Sequence, residues 1–440
     1  VIEKMKNPYN RIINELYKLL YPIIKHKNIA SVRDFYNCNY KTDGYFIEKS
    51  KKELLANVIE NVPYYSYIEE KKLSCFPVMS KEIYRKINPE LLNHKSFRYL
   101  PKYKMNTGGS TGEPFEFYCD ANAGLYDFYH QKYQYEKIGF EKSNKIYVLN
   151  GWLPDQNLVK NKVFWRKKKN ANEFPFGSKE FSTHYLNITN SEFYIKELIS
   201  SPPNYLRSYP SVMCELTSFF IASGYTYPPF ELKGIQLTSE MTSPQQETYL
   251  QEYWGDIIFY QYGHSEASAI ATKYPGEEFY TFSPYYGITE ILNDQNEHVE
   301  EGETGRIVVT SLNNVVRPFI RYDTGDLASF RKNENGVTTV FNIEGRVQDV
   351  VEDINGNSIS ITGLVFGQHF YAFKNILAWQ IHNENKGVLV VDLVKEKTFT
   401  SNDEKEILEK LSFNGAFTVS IRYVDYIAKT KAGKHKLVIK

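Results

Sequence analysis

Near residue 96 the sequence changes period, and that change limits the possible folds more than any other feature. Upstream, residues 1–95 carry Leu, Ile and Tyr at helical spacing, with turns marked by Pro63 and Pro77. Downstream, short apolar stretches lie between Gly-rich turns. Ile146–Leu149, Ile257–Tyr260, Gly287–Leu292 and Arg306–Ser311 read as strands. Leu125–Ile138, Ser191–Ser200, Ser211–Ala222 and Ser243–Tyr253 read as helices, the last opened by Ser243-Pro244 as cap and first-turn pair. Strands that alternate with helices must bury helix stripes on sheet faces, so the expected class is α/β. The end of the chain is different. Leu377–Ile381, Gly387–Val394, a helix over Asn402–Leu411 and Val419–Val424 spell a small strand–strand–helix–strand unit. The expected organisation is a large body over residues 1–345, a hinge at 346–349, and a small α+β lid over 350–440. Gly345, Gly356 and several charges within Ile343–Ile359 mark the hinge region.

Composition narrows the function. The 53 Lys and Arg nearly cancel the 52 Asp and Glu, a formal net charge of +1, which argues against coating nucleic acid or an anionic membrane. At 42% hydrophobic and 24% charged residues, a sizeable core can form. Aromatics are abundant, with 36 Tyr and 28 Phe; Tyr suits polar-tipped pockets as well as cores, and codon bias gives the same excess. Cys38, Cys75, Cys119 and Cys214 are too widely spaced for metal pairs and too few for a disulfide framework. No apolar run reaches the length of a membrane span, and Asn7 to Ala30 mixes Leu, Ile and Tyr with Arg and Lys throughout. A cytoplasmic protein is expected. Nothing fixes the oligomeric state; a dimer is compatible.

Five strings carry chemistry. In Asn106-Thr107-Gly108-Gly109-Ser110-Thr111-Gly112-Glu113-Pro114, three glycines free the backbone so that several amides can face one anion, and three hydroxyls add donors. No Lys-Ser/Thr follows, so it is not a Walker loop, and in isolation it can equally be a flexible turn. Tyr262-Gly263-His264-Ser265-Glu266-Ala267-Ser268 follows an apolar strand; its Glu can hold magnesium or simply sit in a solvated loop. In Phe319-Ile320-Arg321-Tyr322-Asp323-Thr324-Gly325-Asp326, an acid can accept from both ribose hydroxyls, or the two Asp residues can close Asx turns. Glu344-Gly345-Arg346-Val347-Gln348-Asp349 and Lys429-Thr430-Lys431-Ala432-Gly433-Lys434-His435-Lys436 read alone as a solvated turn and a frayed basic tail.

Taken in this order, the five strings resemble the motif series of the adenylate-forming superfamily, which includes acyl- and aryl-CoA ligases, peptide-synthetase adenylation domains and luciferase. The helical start, Tyr209-Pro210 and Thr238-Ser239-Glu240 look most like the phenylacetate–CoA ligase group, and within it the CapK-like branch associated with capsule and surface-polysaccharide genes. The resemblance covers the chain past about residue 60, its extent set by where the motif-bearing segments lie. It implies ATP, magnesium and, in one version, CoA as cofactors, and a small-molecule carboxylic acid and an acyl acceptor as partners. Thr107, Gly108, Gly109, Ser110, Thr111 and Gly112 would form the loop over the ATP phosphates. Tyr262 and Gly263 would flank adenine, with Ser239 and Glu240 also on the nucleotide side. Ser265 would bond the α-phosphate, Glu266 would hold magnesium, and Asp326 would take the ribose hydroxyls. Arg346 would contact ribose or phosphate, and Lys434 would reach from the lid into the active site.

No covalent enzyme intermediate is needed for such chemistry, so the lack of a Ser/His/Asp or Cys/His constellation is expected. One departure stands at the pivot: where many relatives carry Asp or Lys, this chain has Gln348 followed by Asp349. No basic site for a CoA tail can be read, and Arg166-Lys167-Lys168-Lys169 reads first as a solvated basic loop, with a site for an anionic acceptor as the lesser alternative. The carboxylate pocket is expected between Tyr209, Gln236–Glu240 and Tyr262–Ser268, with His264 at its edge and Ser268 in its wall. A sugar acid, an amino acid and an aromatic acid all fit that chemistry. Two other functions compete with the ligase: a catalytically silent nucleotide-binding scaffold, and a glycosyltransferase resting only on Asp323-Thr324-Gly325-Asp326.

Overall fold

In a computed structural model of the 440-residue chain, the structure describes residues 29–100, 102–107, 115–167, 177–242, 244–346, 350–360, 372–413, 415–430 and 436–440. They divide into two units. The first comprises Val1–Phe140, Gln261–Lys273 and Glu277–Ile343; the second comprises Glu141–Tyr260, Tyr274–Gly276 and Glu344–Lys440.

The first unit is helical at its start and antiparallel β thereafter. Helix Gly44–Asn61 begins at Asp43, whose side chain accepts from the Phe46 amide, and helix Lys81–Lys86 begins likewise at Ser80. Hairpin Lys102–Thr107/Phe115–Asp120 is paired in register from Lys102↔Asp120 to Thr107↔Phe115. Alternation along the second strand sends Phe115, Phe117 and Cys119 into the core and Glu116 outward. Helix Ala121–Lys137 follows directly. The sheet of this unit runs in the order 287–292, 304–311, 322–334, 337–346, 280–282, 270–273. Its long central hairpin turns on Asn335 and Gly336, with φ of 51° and 79°, the left-handed pair that a two-residue β-turn demands.

The second unit contains the parallel part of the fold. Strands 234–238, 205–208, 146–150 and 179–182 are neighbours in that order and run parallel, with Trp165–Lys167 antiparallel at the edge. Gly234–Thr238 is buried at every position, as a strand covered on both faces must be. Helices Ser191–Ser200, Pro210–Ala222 and Pro244–Trp254 supply the cover. Within the same unit, residues 350–440 build a smaller sheet ordered 418–423, 388–395, 376–382, 438–439. Helix Ser401–Leu411 starts with a Thr400/Asp403 capping box and turns Ile407 and Leu411 onto Ile381, Leu389, Val391 and Leu393. The C-terminal piece thus has its own core. Strand Ile376–His382 lies against helix Pro210–Ala222, and Lys429 Nζ reaches Glu215 Oε2 on that helix at 2.7 Å and the Thr183 carbonyl at 2.8 Å.

Strand Val337–Arg346 continues into the expected hinge, and pairing resumes at Val350–Glu352 against Ser358–Ser360. Gln348 and Asp349 lie outside the described residues. No helix among the described residues is long and apolar enough to cross a membrane.

Candidate active site

The strand Ile258–Gly263 is buried through Tyr260 and opens to solvent at Gly263, so its end delivers the following turn to the surface. The turn closes through the Ala267 amide on the His264 carbonyl at 3.2 Å, with Ala267 at φ 50°. It is held from below by Ser311, whose hydroxyl donates to the Ala267 carbonyl at 3.1 Å. Gly287 makes room for it: a Cβ there would stand 1.8 Å from the Ser268 carbonyl oxygen. Ser268 is fully buried and donates its hydroxyl to the Glu266 carbonyl at 3.0 Å, so it braces the turn from inside. Ser265 stays exposed at the outer corner.

Glu266 is the buried acid of this turn. Its Oε1 accepts from the Tyr322 hydroxyl at 2.9 Å, and its Oε2 lies 3.3 Å from His264 Nδ1. Burial alone would push this carboxyl up; His264 and the Tyr322 hydroxyl more than offset it, and the net shift is downward. Glu266 therefore remains an ionised acceptor at neutral pH. His264 is itself mostly enclosed; its Nδ1 faces Glu266, and its Nε2 has no hydrogen-bond partner among the described residues. A buried nitrogen left this way marks a place where a polar ligand or water completes the set.

Asp326 stands on the neighbouring strand segment. In the RYDTGD string the Asx turn is made by Asp323, which accepts from the Gly325 amide at 2.9 Å and pairs with Arg306 at 2.5 Å. Gly325 takes φ 75° there, a value a side chain would resist. The Asp326 carboxylate is engaged across the site, where its Oδ2 accepts from the Tyr262 hydroxyl at 2.8 Å. Burial first, and Asp326 second, hold the Tyr262 hydroxyl well above its ordinary value, so it remains a donor. The structure thus brings together Tyr262, Gly263, His264, Glu266 and Asp326.

Sequence reasoning left out two residues that shape this cluster. Tyr322 orients Glu266, and Arg321 anchors the backbone directly ahead of Tyr322. Arg321 has φ 42°, rare for a bulky side chain, and its guanidinium bonds both Glu290 oxygens at 3.0 and 3.2 Å and the Phe76 carbonyl at 3.1 Å. The signal was the Arg-Tyr pair directly ahead of the Asx turn, read only as part of a motif.

The other expected residues fall in the second unit or outside the described set. Glu240 Oε2 accepts from the Ser211 hydroxyl at 2.6 Å and amide at 3.3 Å, an acid at the first turn of helix Pro210–Ala222. Tyr209 caps that helix, and its hydroxyl is pushed up to about 12 by burial first and Glu240 second. Ser239 is exposed at φ 69°, at the end of strand Gly234–Thr238. Arg166 pairs with Glu180 at 2.6 Å and lies over Trp152, a packing role. Gly108, Gly109, Ser110, Thr111, Gly112 and Lys434 lie outside the described residues. Thr107 and Arg346 are described as strand residues only, and the pairing Thr107↔Phe115 holds the two ends of the Gly-rich string together.

Residues that could hold a cofactor can be tested on these observations. No group of three or more His, Cys, Asp or Glu side chains among the described residues could hold a metal by itself. A single ionised Glu266 fits a magnesium ion that takes its remaining oxygens from phosphates and water, which is how this hard cation usually binds.

Comparison with known proteins bears on the fold. Residues 354–440 match the family described as CapK C-terminal domain. Protein CapK of Staphylococcus aureus is 22% identical over 414 residues, 92% of this chain and 87% of that protein. A crystal structure of 2-hydroxyisobutyryl-CoA ligase in the postadenylation state with R3-HIB-AMP aligns with TM-score 0.64 and 16% identity, covering 89% of this chain and 88% of the other. The same ligase with 2-HIB-AMP and CoA in the thioesterification state aligns with TM-score 0.51 and 16% identity, over 90% and 89% of the two chains. The chain is similar to CapK, its residues 354–440 match the CapK C-terminal domain family, and it has an α/β fold like that of the adenylate-forming ligases.

Proposed function

We propose that the protein is an ATP-dependent, AMP-forming carboxylate ligase. The observation that carries this reading is the pair of tyrosine-held acids, Glu266 and Asp326, with the enclosed His264 facing Glu266 at a strand end. An ionised, oriented Glu266 suits a metal-bound triphosphate, and an Asp326 oriented by Tyr262 suits the paired hydroxyls of a ribose. The exposed Ser265 is the donor for the α-phosphate, and Thr107 to Gly112, between the paired strand ends, form the loop for the outer phosphates. Ser239, Glu240, Tyr209 and His264 serve the nucleotide and acid sides, and Ser268 supports the turn from within.

In the first half-reaction an oxygen of the substrate carboxylate attacks the α-phosphorus, the bond to the bridging oxygen breaks, and pyrophosphate leaves. Two anions meet in this step and charge grows on the bridging oxygen. A cation donating to both is worth most in the transition state, and Lys434, with Arg346, is assigned that role. Magnesium, held by Glu266, would supply charge neutralisation on the phosphates. In the second half-reaction the acyl group passes from AMP to a thiol of CoA or to an amine or hydroxyl. The ligase named above is seen in complex with 2-HIB-AMP and CoA, which supports CoA as one acceptor. The resemblance to the CapK-like branch supports an acceptor in surface or capsular polysaccharide assembly. Residues 346–349, with Gln348 and Asp349, are assigned as the hinge between a body of residues 1–345 and a lid of residues 350–440.

Pyrophosphate release from ATP and magnesium, measured over a broad panel of carboxylic acids, tests this reading. At least one acid should trigger release, and Glu266→Gln and Lys434→Ala should abolish it while AMP still binds. A wild-type protein that binds ATP but releases nothing with any acid would instead be a nucleotide-binding scaffold.

A further inference from the structure

The hydrogen bonds at the site cross over. Tyr262 belongs to the segment that carries Glu266, yet it donates to Asp326; Tyr322 belongs to the segment that carries Asp326, yet it donates to Glu266. Both bonds are short, at 2.8 and 2.9 Å, and both end on carboxylates. His264 sits between the two rings, its centroid 6.2 Å from that of Tyr262 and 6.3 Å from that of Tyr322. Each ring is further wedged in the core, Tyr262 against Phe282 at 5.7 Å and Tyr322 against Phe319 at 5.0 Å and Tyr84 at 5.6 Å. The Tyr322 end is locked by the left-handed Arg321 and its Glu290 pair.

We propose that Tyr262 and Tyr322 are positioning residues that form a reciprocal clasp, each fixing the acid on the other's segment, so that the two acids are set as one unit. The assignment of Glu266 to metal and Asp326 to ribose is that of the proposed function, and the inference rests on it. Two bonds between the same two segments back each other up. Loss of one leaves the other in place to hold both acids; loss of both removes both phenolic ties while the strands stay in their sheet. The clasp therefore predicts non-additive effects, as groups in one network show. It also predicts that each tyrosine serves a different ligand.

The test uses Tyr322→Phe, Tyr262→Phe and the double variant of the full chain. Both substitutions keep the ring and remove only the hydroxyl. In calorimetric titrations, Tyr322→Phe should raise the magnesium concentration for half-maximal ATP binding about tenfold, the usual cost of losing a group behind a metal ligand. It should leave metal-free AMP binding within about twofold, because the hydroxyl touches Glu266 rather than Asp326. Tyr262→Phe should weaken metal-free AMP binding about tenfold, as loss of a bond to a charged group does. The double variant should lose more than the product of the two. Equal effects of either single variant on both ligands, or a double equal to the product, would overturn the clasp. Urea unfolding of the same four proteins gives an independent reading that needs no nucleotide. If the wild type bound neither AMP nor ATP, the proposed function would fall, and the clasp would stand or fall on whether the unfolding cycle is non-additive.

Discussion

Lys429→Met gives the sharpest stability test. The Lys429 ammonium lies 2.7 Å from Glu215 Oε2 and 2.8 Å from the Thr183 carbonyl, with side-chain exposures of 13% for Lys429 and 18% for Glu215. Methionine keeps the length of the stem and removes only the charge and its donors. Stripping one partner from a buried ion pair costs about 3–5 kcal/mol, because the other charge is left without compensation. The residual exposure of both groups lets water soften that loss, so about 3 kcal/mol is expected. The loss should also depend on pH. The Glu215 carboxyl is already held above its ordinary value of 4.5 by burial, with Lys429 pulling it back down. Without Lys429 it rises further. A carboxyl raised by folding binds its proton more tightly in the folded state, so its contribution to stability falls as pH rises from 4.5 through the folded value. The deficit of the variant should therefore be small below the ordinary value of 4.5 and grow as pH rises above it toward neutrality. Urea unfolding of both proteins across that range, followed by circular dichroism, measures it. Adding Glu215→Leu should recover most of the loss, since an apolar pair of similar volume is often as stable as the ions. A deficit below about 1 kcal/mol at neutral pH would show that the pair behaves as a surface contact. So would a double variant no better than the single one, and either result would refute the argument.

Two further outcomes follow from single positions. Gly287→Ala should destabilise by about 3 kcal/mol or more, because the new Cβ would meet backbone that cannot rotate away; thermal melts of the folded protein, or its failure to accumulate, report this. Asp392 is held below its ordinary value of 3.8, chiefly by Arg422, with His382 assisting. Its contribution is complete above 3.8 and is lost as pH falls through the lower folded value, so Asp392→Asn should flatten the acid limb of unfolding measured by circular dichroism.

Much of the α/β pattern was legible because burial enforced it. Ser191–Ser200 and Gly287–Leu292 fall where periodicity put them, and the C-terminal strand–strand–helix–strand order holds to within a residue or two at each end. Other strands were hidden by polar sequence. Lys102–Thr107 has little apolar character of its own, and its partner contributes the buried face. Tyr322–Glu334 carries Asp323, Thr324 and Gly325, which read as a turn; the structure contains that Asx turn inside a strand. The site was legible as motifs but not as contacts. Tyr262 and Asp326 are 64 positions apart, and Glu266 and Tyr322 are 56 apart, so no local rule pairs them. Arg321 illustrates the same limit: its left-handed backbone is set by Glu290, Thr310 and Met79, none of which is its sequence neighbour.

The division of the chain into units has a bearing on how its gene can be recombined. Neither unit is one continuous stretch; each is drawn from separate segments, with Tyr274–Gly276 belonging to one and both of its flanks to the other. A single crossover therefore cannot transplant either unit whole. A graft at residues 350–440 would exchange the C-terminal sheet while leaving Glu215 behind on its helix. Any donor segment would have to bring a cation at the position of Lys429, or come with a neutral residue at 215. Chimeras that ignore this link should express as poorly folded protein, whatever the quality of their active-site residues.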